Sequence, residues 1–508
     1  MVTLLAVACA APQEAALPDL PPGDPARPDI VLVSIDSLRA DHLGAWGAAR
    51  PTSPFLDRLA ASGLRFSDAR TLSPWTLPAH TTMLSGQPPV AHGVVEDTVG
   101  VSRDLPWLPE RLRDAGWATG GFVSSVYVSR RFGFDRGFSR FLDYEVDAST
   151  NLTHVTSADR QVEDAARWAA EVGEGTPLFL FLHLYDAHYP YRCPEPYASR
   201  FDRAGTPTST AYRSYAWHAE HPPTVAEMAH NVAQYDECVA WVDHHLERLH
   251  AAWARSGRNA AWLVTADHGE ELLERGSWGH GHTLWREVVH VPMILVAPGV
   301  SPAVRTEPVA TIDVAPTLAA VAGLDPATAL GAAGSDLRDT IPPRAFVAET
   351  ARHDTARLSY EAEGWRLDVD VPKRVTRLYD RATDPAERAD RAGAEPDRVS
   401  RMTRSLLEAM GEPWVAEGGT VLTTASAYRR GAWVGSRFGG DGSFGVWPPD
   451  VLVRRIGPSA AGPGPIDAEG AAAAPSHGPL RWTGPRWASP VQLDDATRER
   501  LEALGYAQ

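Results

Sequence analysis

The run D-I-V-L-V-S-I at Asp29–Ile35 constrains the fold more than any other feature, because it is apolar on both alternating faces and ends on a carboxylate, Asp36. A strand with no polar face has to be covered on both sides, which is the condition of a parallel sheet between helices. Leu178–Leu184 reads the same way, and Trp117–Val123, Ala261–Thr265 and Val291–Val296 add further strands. Helical patterns separate them: Ser53, as N-cap, opens a helix that Gly63 stops, and others run over Thr76–Leu84 up to Gly86, over Leu105–Ala115 and from Thr224 to Arg255. Ala345–Val347 reads as a last core strand. The fold class expected is therefore α/β, a large mixed, mostly parallel sheet sandwiched by helices. Beyond it, short antiparallel strands between Leu358 and Asp380 and an amphipathic helix over Asp397–Met410 make a smaller C-terminal α+β subdomain.

A chain of 508 residues exceeds one compact core. The division expected is a signal-like segment and Pro-rich tether at 1–28, a large domain at 29–350, the subdomain at 351–415, a loop-like Gly/Pro/Ala-rich insertion at 416–490 and a closing helix at 491–508. M-V-T-L-L-A-V-A-C resembles the end of a bacterial lipoprotein signal, although its apolar run is short and no basic residue precedes Arg27. It leads to the expectation of an exported protein, periplasmic or at the cell surface, with a lipid anchor at Cys9. No stretch is long and apolar enough to span a membrane. Cys9, Cys193 and Cys238 lack paired spacing, which argues against a zinc–thiolate site; a Cys193–Cys238 disulfide and two unrelated thiols both stay open. A net charge of −16 argues against nucleic acid as a partner. It leaves room for a small anionic ester, on a glycan or a lipid, since a few local cations outweigh a distant negative field. Lys373 is the only lysine, so any fixed cation near the motifs below is an arginine.

In sheets of this kind ligands sit beyond the carboxyl ends of the strands. Asp36, the segment H-L-Y-D-A-H-Y-P-Y at His183–Tyr191, and T-A-D-H-G-E at Thr265–Glu270 all fall there. G-H-G-H-T-L-W at Gly279–Trp285 adds His280 and His282. Carboxylates with imidazoles are the donor set of a divalent transition metal. In S-P-W-T-L-P-A-H-T-T-M-L-S-G, Ser73–Gly86, Thr76 stands at a helix start, where the dipole favours an anion. Taken alone, such a threonine is a simple cap. Ser124, which follows a strand, is a further candidate for facing substrate.

The order of these motifs resembles the sulfatase family of the alkaline-phosphatase superfamily, from Asp29 to about Met410. F-G-F-D-R-G-F at Phe132–Phe138, D-V-A-P-T-L at Asp313–Leu318 and L-Y-D-R-A-T-D-P-A-E at Leu378–Glu387 belong to the same likeness. The resemblance implies an alkaline-phosphatase-like fold with 29–350 as the catalytic domain. It implies Asp36, Asp267 and His268 as metal ligands, together with Thr76 as a metal-contacting nucleophile. It also implies His188 at the substrate anion or leaving group, His282 in place of the family's cationic residue with His280 behind it, and His183 and Asp186 as neighbours.

Departures from the family pattern shape the functional expectation. Ordinary sulfatases carry a cysteine or serine, oxidised to formylglycine, where Thr76 stands, and arginine where His80 stands. They also use active-site lysines. Threonine cannot be oxidised in that way, but it serves as nucleophile in phosphoryl-transferring relatives. The expectation is a metal-dependent hydrolase or transferase of sulfate or phosphate esters. Thr76, His80, His188 and His282 are its catalytic residues, and His183, His280 and Ser124 bind substrate. One divalent metal is expected, zinc or manganese ahead of calcium or magnesium, and a second metal is not. The alternative is an inactive family member that binds an anionic glycan or lipid head group.

Overall fold

The computed structural model describes residues 14–144, 157–202, 221, 223–352, 355–371, 373–410, 443–446, 452–454 and 488–490. Cys9 and the closing 491–508 segment lie outside these residues. Of the 416–490 insertion only three short strands are described: Ser443–Val446 pairs with Leu452–Arg454, and Ala488–Pro490 pairs with Val99–Val101.

Eight strands build the large sheet: β1 (Asp29–Ile35), β2 (Leu64–Phe66), β3 (Ala118–Val123), β4 (Arg140–Asp143), β5 (Leu178–Leu184), β6 (Ala260–Ala266), β7 (Met293–Val296) and β8 (Ala303–Arg305). Their order is β8-β2-β7-β6-β1-β5-β3-β4. β6, β1, β5, β3 and β4 run parallel, and β7 runs antiparallel to both β6 and β2. Every residue of β1 and β5 is buried, as their two-faced apolar sequences require. The mixed, mostly parallel sheet is the one expected. The expected strand Val291–Val296 is instead split at Pro292, which has no N–H to give a ladder. His290–Val291 pairs with Ala69–Arg70 in a separate small sheet, while β7 joins the large one.

Among the helices are α1 (Pro54–Ser62), α2 (Thr76–Ser85), α3 (Leu108–Asp114), α4 (Ala158–Glu171), α5 (Val225–Ser256) and α6 (Pro396–Ala409). α2 is buried at all ten positions and ends at Gly86, whose φ of 68° favours glycine. α5 opens on a capping box formed by Thr224 and Glu227. Ser53 does not cap α1. Its free N–H groups at Phe55 and Leu56 donate instead to the Asp243 carboxylate of α5, at 3.0 and 2.8 Å. α3 starts later than the pattern suggested, because Leu105 precedes Pro106 and is held out of the helical region.

A second, four-stranded antiparallel sheet follows: β9 (Phe346–Thr350), β10 (Arg357–Ala362), β11 (Trp365–Asp370) and β12 (Val375–Asp380). The strand read as the last of the main core, at Ala345–Val347, therefore belongs to this sheet and pairs with β10. Cys193 and Cys238 are free thiols lying beside one another, so the disulfide is not formed. No described helix is long and apolar enough to cross a membrane.

The start of β1 is fixed by a buried ion pair. Asp29 accepts both Nε and Nη2 of Arg258, at 2.6 and 2.9 Å, with Trp253 Nε1 at 2.8 Å and the Leu178 N–H at 2.9 Å. Every lone pair is used, and alanine here would strand the Arg258 charge in the interior. Asp29→Ala is expected to cost about 3–5 kcal/mol. A thermal melt measures this directly, and a melting temperature equal to that of the wild type would contradict it.

Candidate active site

Strand register brings the chemistry together. Ile35 lies beside Leu184 on one side and Ala266 on the other, so Asp36 and Asp267 emerge next to each other at the carboxyl edge of the sheet. Ser37, at a φ of 59°, turns the chain sharply there. Its hydroxyl donates to Asp36 Oδ1 at 2.9 Å and its N–H to Asp267 Oδ1 at 3.3 Å. A non-glycine residue held in the left-handed region at such a spot is the kind of local strain that functional sites carry. The first residue of α2 arrives from the opposite side. Thr76 Oγ1 lies 3.5 Å from Asp36 Oδ2 and 3.4 Å from His268 Nε2.

Asp36, Asp267 and His268 offer ligand atoms within 4.8 Å of one another, all of them buried. His268 Nδ1 donates to the Gly269 carbonyl at 3.0 Å, so its Nε2 lone pair faces inward, 3.3 Å from Asp267 Oδ2. Burial lowers the His268 pKa to about 4, keeping the ring in the neutral form a ligand requires. Burial, and then the charge of Asp36, push the Asp267 carboxyl well above its usual range. Asp267 Oδ2 is fully enclosed and accepts no hydrogen bond. Two buried carboxylates with an orphaned oxygen and an inward imidazole form a cradle for a divalent cation. His80, His183 and Asp267 form a second such cluster, which shares Asp267 with the first.

The other candidates separate by what they touch. His183 sits on β5 with Nε2 3.2 Å from Asp36 Oδ2. His188 donates from Nδ1 to the Tyr189 carbonyl at 2.7 Å and stacks on Tyr185 at 4.2 Å. His280 donates to Glu270 Oε1 at 3.0 Å, and its ring lies 4.2 Å from that of His268 and 4.9 Å from that of His188. His80 has both nitrogens engaged, one with the Thr76 carbonyl at 2.8 Å and the other with Ser34 Oγ at 3.0 Å. Burial, with the nearby His183, lowers its pKa far below the usual value, so His80 supports the start of α2 as a neutral ring.

Besides His80, three of the expected residues are engaged by other partners. His282 packs on Ser277 Oγ at 2.7 Å and lies 3.2 Å from Glu271, whereas His280 is the ring against His268. Ser124 donates its hydroxyl to the His183 carbonyl and accepts the Tyr185 N–H, both at 3.1 Å, so it stitches β3 to β5. Asp186 accepts the N–H groups of Ser157 and Ala158 and the Trp241 indole, which makes it a cap for α4. Burial raises its pKa to about 7. His280→Ala is accordingly expected to lower kcat/KM by about 10²-fold, the scale of losing one positioned catalytic group. His282→Ala should stay within severalfold of wild type, and steady-state kinetics showing the reverse order would restore His282 to the centre.

One charged residue at this edge was not read from the sequence. Arg352, 7% exposed, stacks 4.2 Å over the Trp75 ring and donates from Nη2 to the Tyr127 hydroxyl at 2.9 Å. No local motif marks it.

The family model described as Sulfatase matches residues 28–324, which contain Asp36, Thr76, Asp267 and His268 but not Arg352. The chain is 22% identical over 417 residues to the uncharacterized sulfatase YidJ of Escherichia coli (strain K12), covering 71% of this chain and 82% of that one. It is 22% identical to the choline-sulfatase of Rhizobium meliloti (strain 1021), covering 59% of this chain and 68% of the relative. Among solved structures, the phosphonate monoester hydrolase of Silicibacter pomeroyi superposes with a TM-score of 0.63 at 19% identity, covering 75% of this chain and 95% of that one.

Proposed function

The chain belongs to the sulfatase family and is a sulfuric or phosphoric ester hydrolase, and from that premise we propose that Thr76 is its nucleophile. The observation that carries this reading is the contact of Thr76 Oγ1 with both Asp36 Oδ2 and His268 Nε2, beside the orphaned Asp267 Oδ2. Asp36, Asp267, His268 and the Thr76 oxygen would hold one divalent metal, with zinc or manganese favoured by the imidazole nitrogen. When bound, the metal supplies positive charge that lowers the pKa of a hydroxyl far too weak to ionise alone.

The chain's own residues do the rest. Thr76 Oγ1 forms a bond to phosphorus or sulfur as the ester oxygen–phosphorus or –sulfur bond breaks, and the alcohol leaves with a proton. The N-terminus of α2, from Thr76 onward, faces the negative charge that develops. The Nδ1 bonds of His188 and His280 fix the planes of those rings beside the site, and the Tyr185 hydroxyl lies 3.3 Å from His188 Nε2. Water or a second alcohol then attacks the Thr76 ester and restores the hydroxyl. Threonine has a single hydroxyl, so its ester is resolved only by a second attack on the central atom. This favours phosphate over sulfate.

Turnover of an aryl phosphate monoester, a phosphodiester, a phosphonate monoester and a sulfate ester by protein loaded with zinc, manganese or calcium tests the assignment. Hydrolysis of phosphorus esters is the expected result. Folded protein that binds anions and hydrolyses none would instead favour the second reading, a binding protein for an anionic glycan or lipid head group. We also place the protein outside the cytoplasm with a lipid on Cys9; radiolabelled palmitate should mark the wild type and not Cys9→Ser. The division into catalytic domain and subdomain is part of the same proposal, with its boundary moved from 350 to ahead of Phe346, because β9 pairs within the second sheet.

A further inference from the structure

The end of β9 is clamped between two parts of the site. Thr350 donates its hydroxyl to the Gly281 carbonyl at 2.6 Å, inside the His280–His282 segment. On the other side, the Glu349 N–H donates to the Leu72 carbonyl at 3.1 Å and Ser73 Oγ to the Glu349 carbonyl at 3.2 Å. Two residues beyond Thr350, Arg352 is thereby carried from the second sheet into the space beside Trp75, the neighbour of Thr76. Its guanidinium also lies 5.0 Å from the Tyr127 ring, and the Tyr127 hydroxyl anchors one corner of it. Stacking on two aromatic faces fixes the plane of the fork. The positive charge is felt at His188, His268 and His280. Lys373 is out of play: it is 69% exposed and lies 3.8 Å from Asp370, at the end of β11. Arg39 is already bound to Asp41 and Glu274.

We propose that Arg352 is the substrate-binding cation of this site and reads the second negative charge of a phosphate monoester dianion. The inference rests on the hydrolase reading above and names its substrate class. A phosphate monoester carries two negative charges near neutral pH, whereas a diester or a sulfate ester carries one. A fixed cation in a water-poor cleft is attracted about twice as strongly to a dianion as to a monoanion at the same distance. A guanidinium adds paired N–H donors that match two phosphate oxygens.

Calorimetric titration of the metal-loaded protein with inorganic phosphate and with methyl sulfate, at mildly alkaline pH, tests this without requiring turnover. Wild type should prefer phosphate. Arg352→Met, which keeps a side chain over Trp75, should lose about tenfold or more in phosphate affinity and about threefold for methyl sulfate. Equal losses for the two anions, no loss, or a wild type without the preference would each overturn the proposal. Should the methionine variant fail to fold, Arg352→Gln gives the same comparison with a neutral polar group. Turnover measured on the same samples separates the two levels. An Arg352-dependent preference without hydrolysis defeats the hydrolase reading alone, and hydrolysis with an unaltered preference defeats this inference alone.

Discussion

Thr76→Ala is expected to abolish turnover, with kcat falling about 10⁴-fold or more, the scale seen when an activated hydroxyl nucleophile is removed. The variant should keep its fold. Trp75 occupies the N-cap position of α2 and the Thr76 side chain makes no capping bond, so little helix stability depends on it. Its metal content should also stay near that of wild type, because Asp36, Asp267 and His268 remain. Thr76→Ser should recover much of the rate, since it restores the hydroxyl and lacks only a methyl group. Stopped assays on all three proteins, normalised to bound metal, give the comparison. If Thr76→Ala retained a tenth or more of wild-type activity, the hydroxyl would be a helix-start residue and nothing more.

Removal of the metal is expected to be as damaging and to act on stability as well. The metal-free protein keeps two carboxylates side by side in the interior, and burial together with the Asp36 charge already pushes Asp267 toward its protonated form. Chelation should therefore eliminate activity and lower the melting temperature, and zinc or manganese should restore both more fully than calcium, which prefers oxygen donors. Asp267→Asn should behave like chelated wild type and should not be rescued by added metal. Full activity after exhaustive chelation, with no metal left by elemental analysis, would remove the cation from the account.

The parts of this arrangement legible in the sequence are those set by local pattern. Asp29–Ile35 and Leu178–Leu184 could be read as buried strands because both faces are apolar, and strand-end position then selected Asp36, His183 and Asp267. What could not be read depends on contacts across long separations. The cap of α1 comes from Asp243 on α5, 188 residues beyond Phe55, so Ser53 looked like the cap. His280 and His282 lie in G-H-G-H, where Gly279 and Gly281 adopt φ of 88° and 87°. That double turn breaks strand alternation, and spacing alone could not tell which imidazole enters the site. Ser124 satisfied the strand-end rule, yet its hydroxyl is spent on the neighbouring strand. Arg352 reaches the site only because the second sheet is hydrogen-bonded to Leu72, Ser73 and Gly281, contacts that no local motif encodes.

The most direct test of the nucleophile assignment is a crystal structure of the metal-loaded protein with orthovanadate. The account predicts vanadium bonded to Thr76 Oγ1, with Asp36, Asp267 and His268 on the metal beside it. Vanadate bonded instead to a water or to another side chain, with the Thr76 hydroxyl turned away from it, would contradict that claim.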